Sequence, residues 1–339
     1  AEHHVHLLFY IYRDDQTGRR VADALARAAG RGVACRVLVD EVGSWRLIGN
    51  IPHFLRGRDV AYHPALSVNP IRRRFSRIDL RNHRKLAVID GRIAYTGSQN
   101  IVNADYGHRS LAWHDLMIRV TGPSVLHLQQ VFIGDWHFET DILLDDPAYL
   151  PEPQAVGDMA LQVIPTGPTY PTEAFQNLMV EAIHATRRRI ILTTPYFVPD
   201  EPSLLALKLA VMRGAQVDLV VPSRQDHPIV AAAMRSYYPQ LLEAGVNLHL
   251  FPNGLLHAKS ITVDDAFAMV GSANFDVRSF FLNFELNVML FGEQPAARLR
   301  FIQQYYIEQA RPMTYKQWMS RPRYKTVLDD TARLLSPLL

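Results

Sequence analysis

The sequence has one cysteine, Cys35, only five lysines among its 36 basic residues, and no long apolar run. A single cysteine excludes an internal disulfide framework and any cysteine metal cluster. No stretch reaches the roughly 18 to 20 apolar residues that a membrane-spanning helix needs, and no signal peptide opens the chain. Lysine is replaced almost throughout by arginine, whose planar fork of donors suits phosphate oxygens. The formal net charge is nevertheless only +3, which argues against a chain built to coat nucleic acid. With 48% hydrophobic and 20% charged residues the protein is globular. Its 339 residues suffice for two domains, or for one built of two halves.

The chain enters a buried strand, Val5 to Tyr12, almost at its start. The expectation is a fragment whose first helix lies upstream, and an internal repeat supports it. Ala185 to Pro222 can be laid over Ala1 to Asp40. Both give a strand ending in aromatics, an Asp-containing turn, an amphipathic helix, a glycine (Gly32, Gly214) and a Val/Leu-rich strand. In the second copy a helix over roughly 172–186 precedes this unit. Strands alternating with helices predict an α/β fold with a mainly parallel sheet in each half. Asp145 to Pro153 is proline-rich and reads as a linker. The halves are therefore 1–145 and 160–339, joined by 146–159, with a helical tail at the end.

Each half carries the same motif at the same spacing, H-x-K-x4-D-x6-G-S-x-N. The first copy is His83, Lys85, Asp90, Gly97, Ser98 and Asn100; the second is His257, Lys259, Asp264, Gly271, Ser272 and Asn274. Fourteen His and five Lys over 339 positions give about 0.2 chance H-x-K triplets, so two copies in register are not coincidence. In a strand, positions i and i+2 share a face, so each His projects with its Lys. If the halves meet about a pseudo-twofold axis, two His, two Lys, two Ser and two Asn converge on one pocket. Such a pocket suits a phosphodiester. Ammonium groups balance the charge on the non-bridging oxygens with no metal required, and Ser98, Asn100, Ser272 and Asn274 can donate to the anion. One imidazole attacks phosphorus while the other moves protons. Asp90 and Asp264 stand beside turns, where Asp is common anyway. Asp115 and Glu285, each opening the strand after its motif, are better placed to orient the imidazoles.

These residues resemble the signature of the phospholipase D superfamily, and the resemblance covers essentially the whole chain. It sharpens at Asp79 to Lys85, Ala94 to Ser98, Thr194 to Pro199, Gly254 to His257, Arg278-Ser279 with Asn283 to Glu285, and Leu335 to Leu339. Together these resemble the bacterial cardiolipin synthases. The resemblance implies two pseudo-symmetric α/β/α halves, each with a mainly parallel or mixed sheet flanked by helices and the active site between them. It implies a catalytic set of His83, Lys85, Asp90, His257, Lys259 and Asp264, with no cofactor. It also implies transfer between two phosphatidylglycerol molecules through a phosphatidyl-histidine, His83 being the nucleophile and His257 the acid and base. Crossed pairing, Glu285 with His83 and Asp115 with His257, comes with it. So do an anionic membrane surface as partner, no nucleic acid, and a place on the bacterial inner membrane through segments upstream. The residues by themselves leave open which His attacks, how the acids pair, the acceptor and the oligomeric state. A phospholipase, a phosphatidylserine synthase or a superfamily nuclease would use nearly the same pocket, and an inactive scaffold would keep the fold without turnover.

Three segments are expected at the membrane or at the rim of the pocket. Ile71 to Arg77 is a basic cluster with one aromatic, suited to anionic lipid. Val327 to Leu339 could lie in an interface or pack on the domain. Arg46 to Leu55 is an expected apolar rim to the pocket.

Overall fold

The structure, a computed structural model, describes residues 1–67, 79–105, 111–171 and 173–334. The first half runs β1 (His4–Phe9), α1 (Gln16–Ala29), β2 (Ala34–Asp40), α2 (Glu41–Ser44), α3 (Ile51–Arg56) and β3 (Ala61–Ala65). It continues through β4 (Lys85–Ile89), β5 (Ile93–Gly97), β6 (Trp113–His114), β7 (Met117–Thr121) and α4 (Ser124–Thr140). A 3-10 turn at Pro147–Tyr149 and an exposed stretch lead onward. Then come β8 (Leu161–Thr166), α5 (Ala174–Ala185), β9 (Arg189–Thr193), β10 (Phe197–Val198), α6 (Glu201–Met212), β11 (Gln216–Pro222) and α7 (Pro228–Glu243). β12 (Asn247–Phe251), β13 (Leu255–Leu256), β14 (Ser260–Val263), β15 (Phe267–Gly271), β16 (Phe275–Asp276) and α8 (Val277–Phe281) follow. The chain ends on β17 (Glu285–Phe291), α9 (Glu293–Gln309), β18 (Arg311–Met313), α10 (Tyr315–Met319) and α11 (Arg323–Arg333).

The repeat has a local cause in each copy. The Asp of each turn caps the next helix: Asp15 accepts from the Gly18 amide at 3.0 Å, and Asp200 from the Ser203 amide at 3.3 Å. Gly32 and Gly214 then take φ of +87° and +91°, a left-handed turn that returns the chain to the sheet. α1 and α6 bury their small and aliphatic faces, and the strands that follow them, β2 and β11, are mostly buried.

The first sheet has the order β3-β2-β1-β4-β5-β7, and the second β18-β12-β11-β9-β14-β15-β17-β8. Six strands of the second match the first in order, and β18 and β8 extend its edges. Both sheets are mixed, with parallel pairs the minority, since only β1–β2, β2–β3, β9–β11 and β11–β12 are parallel. The reason is loop length: β4 turns directly into β5, and β14 into β15, through connections too short for a parallel crossover. The two sheets share one core, in which Leu86, Val88 and Val120 of the first half pack with Leu286 and Val288 of the second and with Phe132 of α4.

Two short backbone links also cross between the halves. β6 pairs with β13 in parallel, and Asn82 bridges Phe284 in the same sense. α11 packs along α7, anchored by buried Asp329 on Arg235 and Arg321, while Val327, Leu328 and Leu334 stay exposed. Among the described residues, no helix is long and apolar enough to cross a membrane. The basic cluster at 71–77 and the last five residues lie outside the described residues.

Candidate active site

The crossing links decide which acid meets which histidine. The His83 amide donates to the Phe284 carbonyl and the Phe284 amide to the Arg81 carbonyl, both at 2.9 Å. In the other half the His257 amide donates to the His114 carbonyl at 2.9 Å. Phe284 directly precedes Glu285, and His114 directly precedes Asp115, so each histidine is laid beside the acid of the opposite half. The His83 Nδ1–H donates to Glu285 Oε2 at 2.9 Å, and the His257 Nδ1–H donates to Asp115 Oδ1 at 2.6 Å. An ionised carboxylate only accepts, so each ring carries its proton on Nδ1 and keeps the lone pair on Nε2.

The Gly-Ser pair of each motif supports the acid. A Cβ on Gly97 would collide with the Leu116 carbonyl, and one on Gly271 with the Asn287 side chain. Glycine therefore lets β7 and β17 approach, and the next residue reaches the carboxylate. Ser98 Oγ donates to Asp115 at 2.6 Å and accepts from the Leu116 amide at 2.9 Å. Ser272 Oγ donates to Glu285 at 2.5 Å and accepts from the Leu286 amide at 2.9 Å. The sequence predicts donation from these serines to phosphate; in the structure both hydroxyls donate to the carboxylates. Glu285 also accepts from Ser279 Oγ at 2.9 Å and Asn283 Nδ2 at 3.3 Å, two partners the motif spacing does not reveal.

Lys85 and Lys259 are buried and donate to the carbonyls of His83 and His257. Burial lowers the Lys85 pKa well below that of an ordinary lysine, against the pull of Glu285. Burial likewise brings Lys259 down to about 7, with Asp115 and Glu285 opposing. Burial pushes both His83 and His257 down to about 4, so both imidazoles are neutral near pH 7. Burial raises the two acids, but the charge and hydrogen bond of the partner histidine outweigh it, and both fall below the usual carboxylate range. Six ionisable groups thus form one electrostatic unit across the halves.

Asn100 and Asn274 face the same cleft. Asn100 Oδ1 accepts from the Ile11 amide at 3.1 Å, and the Asn274 amide donates to Ser279 Oγ at 3.0 Å. Asp90 and Asp264, expected in the catalytic set, do not line the cleft. Each sits at the far end of the strand that follows its lysine, about 16 Å away at the usual strand rise. Asp90 gathers the amides of Glu2, His3 and His4, and Asp264 those of Arg187, Arg188 and Arg189, so each ties down the start of a central strand. Their φ values of 54° and 47° fit a tight turn that Asp tolerates. The expected rim at 46–55 is corrected too: Ile51 and Leu55 belong to the core under α1, and Val42 and Gly43 line the cleft instead.

The cleft between the halves holds about 390 Å³. His83 and His257 lie on its walls with Tyr10, Trp113, Tyr196, Arg81 and Arg278. Beneath it Arg84, the middle residue of the first motif, is fully buried. It pairs with Asp135 and donates to the carbonyls of Glu285 at 3.0 Å and Thr166 at 2.8 Å. Its counterpart is Ala258, so nothing in the spacing marked it. Among the described residues no group of three or more His, Cys, Asp or Glu is placed to hold a metal ion.

Residues 1–136 and 179–306 match the family model described as cardiolipin synthase, PLD-like domain. Cardiolipin synthase A of Proteus mirabilis is 38% identical, the alignment covering all of this chain and 71% of that protein. The cardiolipin synthase of Geobacillus thermodenitrificans is 39% identical, with 100% and 68% covered. Among solved structures, phosphatidylserine synthase of Haemophilus influenzae aligns with a TM-score of 0.75 at 13% identity, covering 100% of this chain and 91% of that one. That likeness is one of fold.

Proposed function

The chain belongs to the cardiolipin synthase family of phospholipase D-like proteins, and from that premise we propose how its cleft works. The protein makes cardiolipin by phosphatidyl transfer from a phospholipid. In the proposed course, Nε2 of His83 attacks the phosphorus of one phosphatidylglycerol. The bond to the glycerol oxygen breaks, and protonated His257 gives its Nε2 proton to that oxygen. A hydroxyl of a second phosphatidylglycerol then attacks the phosphatidyl-histidine, and its proton passes to His257. The P–N bond breaks, and cardiolipin leaves with His83 neutral again.

Burial of the neutral imidazoles supports this reading, because an unprotonated His83 is ready to attack. An arriving phosphodiester anion raises the proton affinity of His257 and of both lysines, supplying the acid and the charge balance. Glu285 and Asp115 hold the tautomers and stabilise each imidazolium as it forms. The serines act through these acids, and Asn100 and Asn274, which face the cleft, are the motif donors for phosphate, the Asn274 side chain also bonding Asp276. The reading divides the chain into 1–145, a linker at 146–159, and 160–339. It places the protein at the bacterial inner membrane, on an anionic lipid surface.

The observation that carries the proposal is the crossed pair of histidine–carboxylate contacts on the walls of one cleft. The test is incubation of the protein in detergent with phosphatidylglycerol as sole lipid. Cardiolipin and glycerol in equal amounts, abolished by His83→Ala or His257→Ala, is the expected result. Phosphatidic acid in place of cardiolipin would make water the acceptor and contradict it.

A further inference from the structure

Phosphatidyl transfer brings two alcohols in turn to one position. The glycerol that leaves phosphorus and the hydroxyl that replaces it both stand in line with His83 and exchange a proton with His257. The wall that the second half contributes to the cleft carries groups that a phosphate does not explain. Asp226 and Asp276 both line it, and both help to keep the proton on Lys259. A carboxylate repels a phosphodiester, so its place beside one calls for another use.

Asp226 has acceptor capacity to spare. Its Oδ1 accepts from the Tyr196 hydroxyl at 2.7 Å, and its Oδ2 stands 3.4 Å from His227 Nε2. An ionised carboxylate offers about four acceptor sites, and this side chain is 17% exposed. Asp276, by contrast, is engaged by the Ser279 amide at 2.8 Å and by the side chains of Ser279 and Asn274. Asn274 gives an independent sign. It lines the cleft and is 7% exposed, and its side-chain oxygen has no partner among the described residues. A buried acceptor is costly to leave without a donor. The counterpart Asn100 commits the same oxygen to the Ile11 amide at 3.1 Å. Counted from Gly32 and Gly214, Asp226 stands where the first half has Ser44. That hydroxyl is engaged by the Tyr10 carbonyl and the Tyr12 amide, each at 3.0 Å. The open acceptors are therefore an addition to the second half and not a consequence of the repeat.

We propose that Asp226, together with the Asn274 side-chain oxygen, accepts from the hydroxyl next to the reacting one on a glycerol headgroup. This rests on the phosphatidyl-transfer reading above, and it makes Asp226 a specificity residue. A polyol is held through its second hydroxyl with the first turned toward phosphorus. Water or a simple alcohol gains nothing from these acceptors.

Two acceptors of equal carbon number test this. Isotope-labelled glycerol and n-propanol compete for the phosphatidyl group of phosphatidylglycerol, and labelled phosphatidylglycerol and phosphatidylpropanol are counted by mass spectrometry. The donor step is common to both and cancels from the product ratio. Loss of a charge-assisted hydrogen bond predicts that Asp226→Ala lowers glycerol transfer relative to propanol transfer about 10- to 100-fold. Asp226→Asn keeps an acceptor oxygen and should lower the ratio less. Its shape matches the native side chain, so its ratio decides if Asp226→Ala does not fold. An unchanged or raised ratio, whatever happens to the total rate, would overturn the proposal and leave Asp226 a partner of Tyr196 and Lys259 alone. A wild type that makes no cardiolipin and transfers to neither alcohol would sink the phosphatidyl-transfer reading and this inference with it, an outcome distinct from an unchanged ratio.

Discussion

The two histidine–carboxylate pairs have the same origin and different surroundings. Glu285 is wholly buried and accepts from His83, Ser272, Ser279 and Asn283. Asp115 is 16% exposed and accepts from His257 and Ser98. The carbonyl of Glu285 is held in addition by buried Arg84, where the other half has Ala258. One side is thus clamped and the other looser. A nucleophile that becomes a cationic phosphatidyl-imidazolium needs a fixed negative partner throughout, whereas a proton carrier alternates between states. This difference supports His83 as the nucleophile and His257 as the acid and base.

The largest expected effect is on the clamped side. Glu285→Gln removes the acceptor that fixes the tautomer of His83 and should lower kcat/KM about 10⁴-fold, the scale of losing such an acid. Asp115→Asn should cost about ten times less, with steady-state kinetics as the check; equal losses would erase the distinction between the pairs. Next comes Arg84→Ala, which strands Asp135 in the interface. Breaking a buried ion pair costs about 3–5 kcal/mol, to be read from denaturant unfolding.

A smaller effect concerns pH. Burial lowers Lys259 to about 7, so its ammonium is present below that pH and lost above it. kcat/KM, which reports the free enzyme, should therefore fall as pH rises beyond about 7, and Lys259→Met should remove that limb. On the acid side the histidines, at about 4, stay neutral down to that pH. The smallest effect is at the far strand ends. Asp90→Ala and Asp264→Ala should each cost about 1–2 kcal/mol of stability and leave kcat/KM within about threefold. A hundredfold loss of activity would return both to the catalytic set.

Much of this was legible in the residues. The duplicated motif announced two halves and one pocket, and strand alternation put each lysine with its histidine. Where reasoning from residue type failed, the cause was a contact that spacing does not encode. A hydroxyl after a strand suits an anion, which predicts phosphate donation from Ser98 and Ser272, yet Gly97 and Gly271 bring the next strand close enough for the carboxylates to take their protons. Glycine before serine was the available signal. Asp90 and Asp264 share the register of the motif because the strand starts they secure are themselves repeated. The pairing of acids with histidines depends on how two strand ends meet across the halves, which only the resemblance suggested. Arg84 has no echo in the second motif, so a search for repeats passes over it. The apolar character of Ile51 and Leu55 predicts a rim, and the same character makes them core.

The central claim is that His83 carries the phosphatidyl group. The most direct measurement uses His257→Ala, in which the acid and base is absent and breakdown of an intermediate is slowed. The protein is mixed with phosphatidylglycerol labelled in the phosphate, quenched in alkali to spare a P–N bond, digested, and mapped by mass spectrometry. Label on His83, and none on His257 in the reciprocal His83→Ala protein, is the predicted result. Label on His257 in the His83→Ala protein, with His83 unlabelled in the other, would reverse the two roles and contradict the account.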